Sequence, residues 1–158
     1  MDAGEPAVAA IVAVAAAKAF NLLVVAIMTA RVRGDRGLDR AWGVADVAIL
    51  LVLVGCAAVG AMAGAAWWAV VLPLPLVAYL VVEILLDQVL HSDFRRTRLL
   101  GPYLLLFYAG QFGMIGYAFL VGRPAGFLTL ATYLASLLAT WWSYRHVGHG
   151  VGPIGGAA

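Results

Sequence analysis

The sequence predicts an all-α, polytopic integral membrane bundle of five transmembrane helices in one domain over residues 1–158, and three observations carry that prediction. Hydrophobic residues make up 65% of the chain and charged residues 11%, with mean hydropathy +0.98; soluble domains run near 45–50% apolar and about 25% charged. From Val47 to Val82 there is no charged residue, a run too long for a single crossing of about 20 residues. Of the ten Lys and Arg, eight fall within 31–40, within 95–98 and at 145, an alternation that the positive-inside rule explains.

The first helix, about 7–30, is apolar except for Lys18, Asn21 and Thr29. The acidic residues before it, Asp2 and Glu5, do not make the basic leader of a signal peptide, so a retained helix is expected. Arg31, Arg33, Arg36 and Arg40 place the loop after it in the cytoplasm and the N-terminus outside. The uncharged run must then turn back on itself. Gly64-Ala-Ala-Trp67-Trp68 offers small residues for the turn and tryptophans for the interface, which gives helices at about 44–64 and 68–90. Pro73 and Pro75 each remove a backbone donor and should kink or unwind the outer half of the third helix. Arg95, Arg96 and Arg98 return the chain to the cytoplasm. Gly101-Pro102 starts a fourth helix, about 102–121, proline being tolerated in a first turn. Gly122 to Gly126 is the outer turn. The fifth helix, about 126–144, ends in Trp141, Trp142 and Tyr144, and the C-terminus is cytoplasmic. A cell-membrane location follows.

The candidate site residues are polar groups inside these apolar runs: Lys18, Asn21, Asp46, Glu83, Asp87, His91 and Gln111. A charge at the centre of a membrane helix costs about 2.5–3.5 kcal/mol on insertion scales, so such groups face protein or a wet cavity. Tyr79, Glu83, Asp87 and His91 recur every four residues and form one stripe of an α-helix. Depth counted from the helix centres makes Lys18 and Glu83 the natural ion pair, which serves equally as a proton or ion site or as a clamp between helices. The face of Lys18 and Asn21 is expected to meet protein, with Phe20 pointing elsewhere. Asp46, Asp87 and His91 near the inner rim could hold a divalent cation or neutralise the adjacent arginines. Thr129, Thr132, Ser136, Thr140 and Ser143 form a hydroxyl stripe whose simplest use is helix packing. Gly60-x-x-x-Gly64 and the glycines at 110, 113 and 116 read as close-packing faces, compatible with a homo-oligomer or a membrane-complex partner beside the lipid bilayer.

Several classes are not called for. The net charge of +2 comes from loops that topology already explains, so no nucleic-acid partner is inferred. Cys56 is the only cysteine, and an intrachain disulfide is impossible. No strong metal spacing, cofactor motif or hydrolase motif is present. The preferred reading is a small transporter or channel-like protein for a proton, ion or small solute. The alternatives are a membrane enzyme acting on a lipid or isoprenoid headgroup at the inner leaflet, with Asp87, Glu83 or His91 as acid or base, and a structural subunit of a membrane complex.

Overall fold

The computed structural model describes residues 4–34, 39–90 and 97–147, and among them there are helices and turns but no strand. The elements are α1 (Gly4–Arg33), α2 (Asp39–Met62), α3 (Trp67–Val71), α4 (Leu74–Glu83), a π-helical stretch Ile84–Val89 continuing α4, α5 (Leu100–Val121) and α6 (Arg123–Val147). Five segments are long and apolar enough to cross a membrane: Ala7–Arg33, Val44–Met62, Trp67–Leu86, Leu100–Val121 and Arg123–Val147. They fall on the five expected helices, with ends displaced by a few residues.

The turn after α2 sits where the small residues placed it. Gly64 takes a left-handed φ of 67°, a conformation open to glycine at little cost. Ala65 N–H donates to the Gly60 carbonyl at 2.9 Å and Gly64 N–H to Ala61 at 3.2 Å, the paired bonds of a Schellman cap. Gly60-x-x-x-Gly64 is therefore not the helix-packing face the spacing suggested. A side chain at Gly60 would meet only Ala65, and one at Gly64 nothing within 4 Å, because Gly64 lies beyond the helix end.

The third crossing is not one continuous α-helix. Pro73 and Pro75 have no N–H to offer, and the chain breaks between α3 and α4. Leu76 N–H bonds back only three residues, to Pro73 at 3.1 Å. At the other end Leu90 N–H reaches the Leu85 carbonyl, five residues back, at 2.9 Å, the wide turn of a π-helix. The four-residue stripe holds through Tyr79 and Glu83. Asp87 falls within the π-helical stretch. His91 lies outside the described residues.

The five long segments close into a ring. α1 packs along α6 and α2, α5 lies between α4 and α6, and α2 meets α4 to complete the circuit. Their shared interior holds Ala13, Ala17 and Phe20 of α1, Leu53 of α2, Leu76, Tyr79 and Leu80 of α4, and Met114, Tyr117 and Ala118 of α5. Polar side chains join this apolar interior while many bulky apolar ones lie outside it. Asn21, Gln111, Thr129, Ser136 and Ser143 are buried, whereas Leu51, Leu105, Phe112 and Leu138 are each more than 60% exposed. Small and polar side chains let helices approach closely, and bulky apolar ones face outward, the distribution expected where the surroundings are as apolar as leucine.

Two glycines of α5 fix its distance from α4. A Cβ at Gly110 would stand 2.8 Å from the Leu76 Cα, and one at Gly113 2.6 Å from the Leu72 carbonyl oxygen. These positions therefore pack within the chain, against the stretch that the prolines unwind. Gly116 meets nothing within 4 Å.

Candidate functional site

The densest polar cluster is built by α4 and the first turn of α5. Tyr79 and Glu83 stand one turn apart on α4, and Tyr103 comes from the turn of α5 that follows Pro102. The Tyr79 hydroxyl donates to Glu83 Oε2 at 3.0 Å and lies 2.8 Å from the Tyr103 hydroxyl. The Tyr103 hydroxyl donates to the same Oε2. Three oxygens thus form a triangle with three close contacts. With the carboxylate ionised, only two hydroxyl protons serve those three contacts; a proton on Glu83 supplies the third, and each oxygen then donates once and accepts once.

Aromatic rings enclose the cluster on the interior side. Tyr79 meets Phe107 edge-on at 5.1 Å and Phe20 at 5.9 Å, and its ring lies 5.2 Å from that of Tyr103. Tyr79 is only 6% exposed, while Glu83 and Tyr103 are half-buried. The carboxylate therefore stands at the edge of an apolar interior, close to the end of its crossing. Tyr103 was legible only as one of many aromatics. Its place in the first turn after Pro102 puts it near the same end of the bundle as Glu83, and that depth match was the available signal.

The Lys18–Glu83 pair is not formed. Among the described residues neither a hydrogen bond nor an ion pair joins them. Lys18 lies about 3 Å before the middle of Ala7–Arg33, and Glu83 about 10 Å beyond the middle of Trp67–Leu86. α1 reaches the cluster through Phe20 instead, about 200° around the helix from Lys18. Phe20, expected to point away from the protein, is 3% exposed, because α1 contacts α6, α2 and α5 and buries a wider arc than its polar stripe.

The other candidates are dispersed. Asn21 is fully buried and its amide donates to Thr132 Oγ1 at 3.2 Å. Its Oδ1 and the Nε2 of buried Gln111 have no hydrogen-bond partner among the described residues. Asp46 is half-buried two turns into α2. Only the backbone of Asp87 is described. No group of three His, Cys, Asp or Glu side chains able to hold a metal ion forms among the described residues.

The hydroxyl stripe of α6 faces its neighbours but turns its protons inward. Thr129, Thr132, Ser136 and Thr140 donate to the carbonyls of Ala125, Thr129, Tyr133 and Ser136 at 2.7–2.9 Å. Small, self-satisfied side chains of this kind let α1 and α6 lie close together.

No protein-family model, curated protein or solved structure matches the chain.

Proposed function

We propose that the chain is a small multi-pass membrane transporter or channel-like protein in which Glu83, held by Tyr79 and Tyr103, takes up and releases a proton. The observation that carries this reading is the three-oxygen triangle. It has room for one more proton than the two phenols bring, and it stands at the edge of the interior, where one side can reach water. Its setting adds support. Glu83 ends a ten-residue helix, Leu74–Glu83, bounded by a proline break and a π-helical turn, and such interruptions of transmembrane helices recur at functional sites. A short segment with a break at each end can shift without disturbing the other crossings.

The outward display of leucine, valine and phenylalanine supports insertion in a bilayer. The basic residues support an outer N-terminus and a cytoplasmic C-terminus. Labelling tests the orientation. Cysteines placed at Arg33 and Gly122, in a Cys56→Ala background, should react with an impermeant maleimide from opposite sides; same-side reaction removes the topology. Arg33 suits the test better than its neighbour Gly34, whose φ of 72° disfavours any side chain.

Proton flux tests the function. In vesicles loaded with a pH dye and given a potassium diffusion potential, the wild-type protein should dissipate the imposed gradient, and Glu83→Gln should fall to the level of empty vesicles. A Glu83→Gln protein that folds and conducts like wild type sinks the proposal.

A further inference from the structure

Lys18 has no ion partner among the described residues, and its depth makes that consequential. The span Ala7–Arg33 is centred on Phe20, so in a hydrocarbon core about 30 Å thick Lys18 lies about 12 Å from the nearer interface. Its four-carbon stem cannot bring the ammonium to water over that distance, as lysines near helix ends do. An anionic lipid headgroup, confined to the interface, is out of reach for the same reason.

The direction of the side chain matters as much as its depth. Val14 and Asn21, four before and three after Lys18, are buried. Ala15 and Leu22, three before and four after, are exposed, as is Ile11 at 61%. Lys18 thus stands on the border between the packed and the outward faces of α1. Across the outward face Lys18 lies one turn from Ala15, which with Val12, Ala16 and Ala19 of α1 and with Ile49 and Val52 of α2 lines an apolar groove of about 320 Å³. On the helical wheel Ala15 lies about 60° from Lys18 and about 60° from Val12. One helix laid along α1 would fill the groove and cover the ammonium together.

We infer that this face of α1 and α2 docks a transmembrane helix of another protein that carries an Asp or Glu near the middle of the bilayer. Charge complementarity selects that chemistry, because a mid-depth cation calls for a mid-depth anion. A second copy of this chain does not supply one. Asp46 lies two residues and Glu83 three residues from an end of its span, Glu83 is held by two phenols, and the spans Ala7–Arg33, Leu100–Val121 and Arg123–Val147 contain no Asp or Glu.

A defined helix tests the assignment. The full-length protein, donor-labelled at Arg33→Cys in the Cys56→Ala background, is reconstituted in phosphatidylcholine vesicles with acceptor-labelled Leu-Ala host helices whose central residue is Asp or Leu. Energy transfer should report about tenfold stronger association with the Asp helix. Lys18→Met should abolish the preference and Lys18→Arg should keep it. Lys18→Glu should reverse it toward a Lys-centred helix, which keeps the test decisive if the methionine variant fails to fold. Equal association of wild type with the Asp and Leu helices overturns the inference. So does a preference that survives Lys18→Met, or efficient disulfide trapping of Ala19→Cys against a second copy.

Discussion

An alanine at Gly110 should destabilise the bundle by about 1–3 kcal/mol, the usual penalty for overpacking a close contact, and the same change at Gly113 should do as much. Neither clash can be relieved by turning a side chain. The new Cβ at 110 meets the Cα and N of Leu76 at 2.8 and 3.0 Å, and the one at 113 meets the carbonyl oxygen of Leu72 at 2.6 Å. Those backbone atoms belong to a stretch already restricted by Pro73 and Pro75 and by the bonds of Leu76 and Val77 to the Pro73 carbonyl, both 3.1 Å. Relief requires α4 and α5 to move apart, which loosens Leu76, Met114 and their neighbours in the common interior. Gly116→Ala is the control. Nothing lies within 4 Å of its Cβ position, and alanine is the better helix former, so stability should hold or rise. The double variant should cost less than the sum, because both positions strain the same five residues. Reversible unfolding in mixed detergent micelles measures all four proteins; a Gly110→Ala variant as stable as Gly116→Ala would mean that α4 and α5 do not approach as described.

The second large effect is expected at the oxygen triangle. Interhelical hydrogen bonds in membrane proteins average about 0.6 kcal/mol and reach about 1.7, and a carboxylate acceptor puts a bond toward the upper end. Tyr103→Phe should therefore cost about 1–2 kcal/mol, since it cuts the bond between α5 and Glu83. Tyr79→Phe should cost less. Its hydroxyl is shared between Tyr103 and Glu83, and the ring keeps its contacts with Phe20 and Phe107. The sharper result is the coupling. Combining Tyr103→Phe with Glu83→Gln should cost less than the two changes separately by about 0.5 kcal/mol or more, and strict additivity would show that the two residues act independently.

How far the sequence reached can be read from particular residues. Five crossings followed from hydropathy alone, the break at Pro73 from the missing N–H, and the turn at Gly64 from a run of small residues. All of these are local properties of a segment. Which helices touch is not local. Lys18 and Glu83 looked like partners because depth was the only coordinate available; their separation depends on the rotation of α1 and on where the third crossing is interrupted. The π-helical stretch Ile84–Val89 carries no proline or glycine, so nothing in its composition separated it from an α-helix. Tyr103 escaped because one tyrosine among many aromatics has no pattern until the helix opposite it is known. The hydroxyls of α6 and, of the α5 glycines, Gly110 and Gly113 lie on packing faces as expected, while Gly116 does not; their partners, α1 for the first and the unwound Leu72–Leu76 stretch for the second, required the three-dimensional arrangement.

The closure of the ring has a consequence for how the protein comes to be made. The main partners of α1 are α2, its neighbour in the chain, and α6, the last of the described helices. The Asn21 amide bonds to Thr132, 111 residues later in the chain. At about 5–20 residues per second, that separation corresponds to roughly 6–20 s of translation. During this interval α1 holds an amide whose partner has not yet been made.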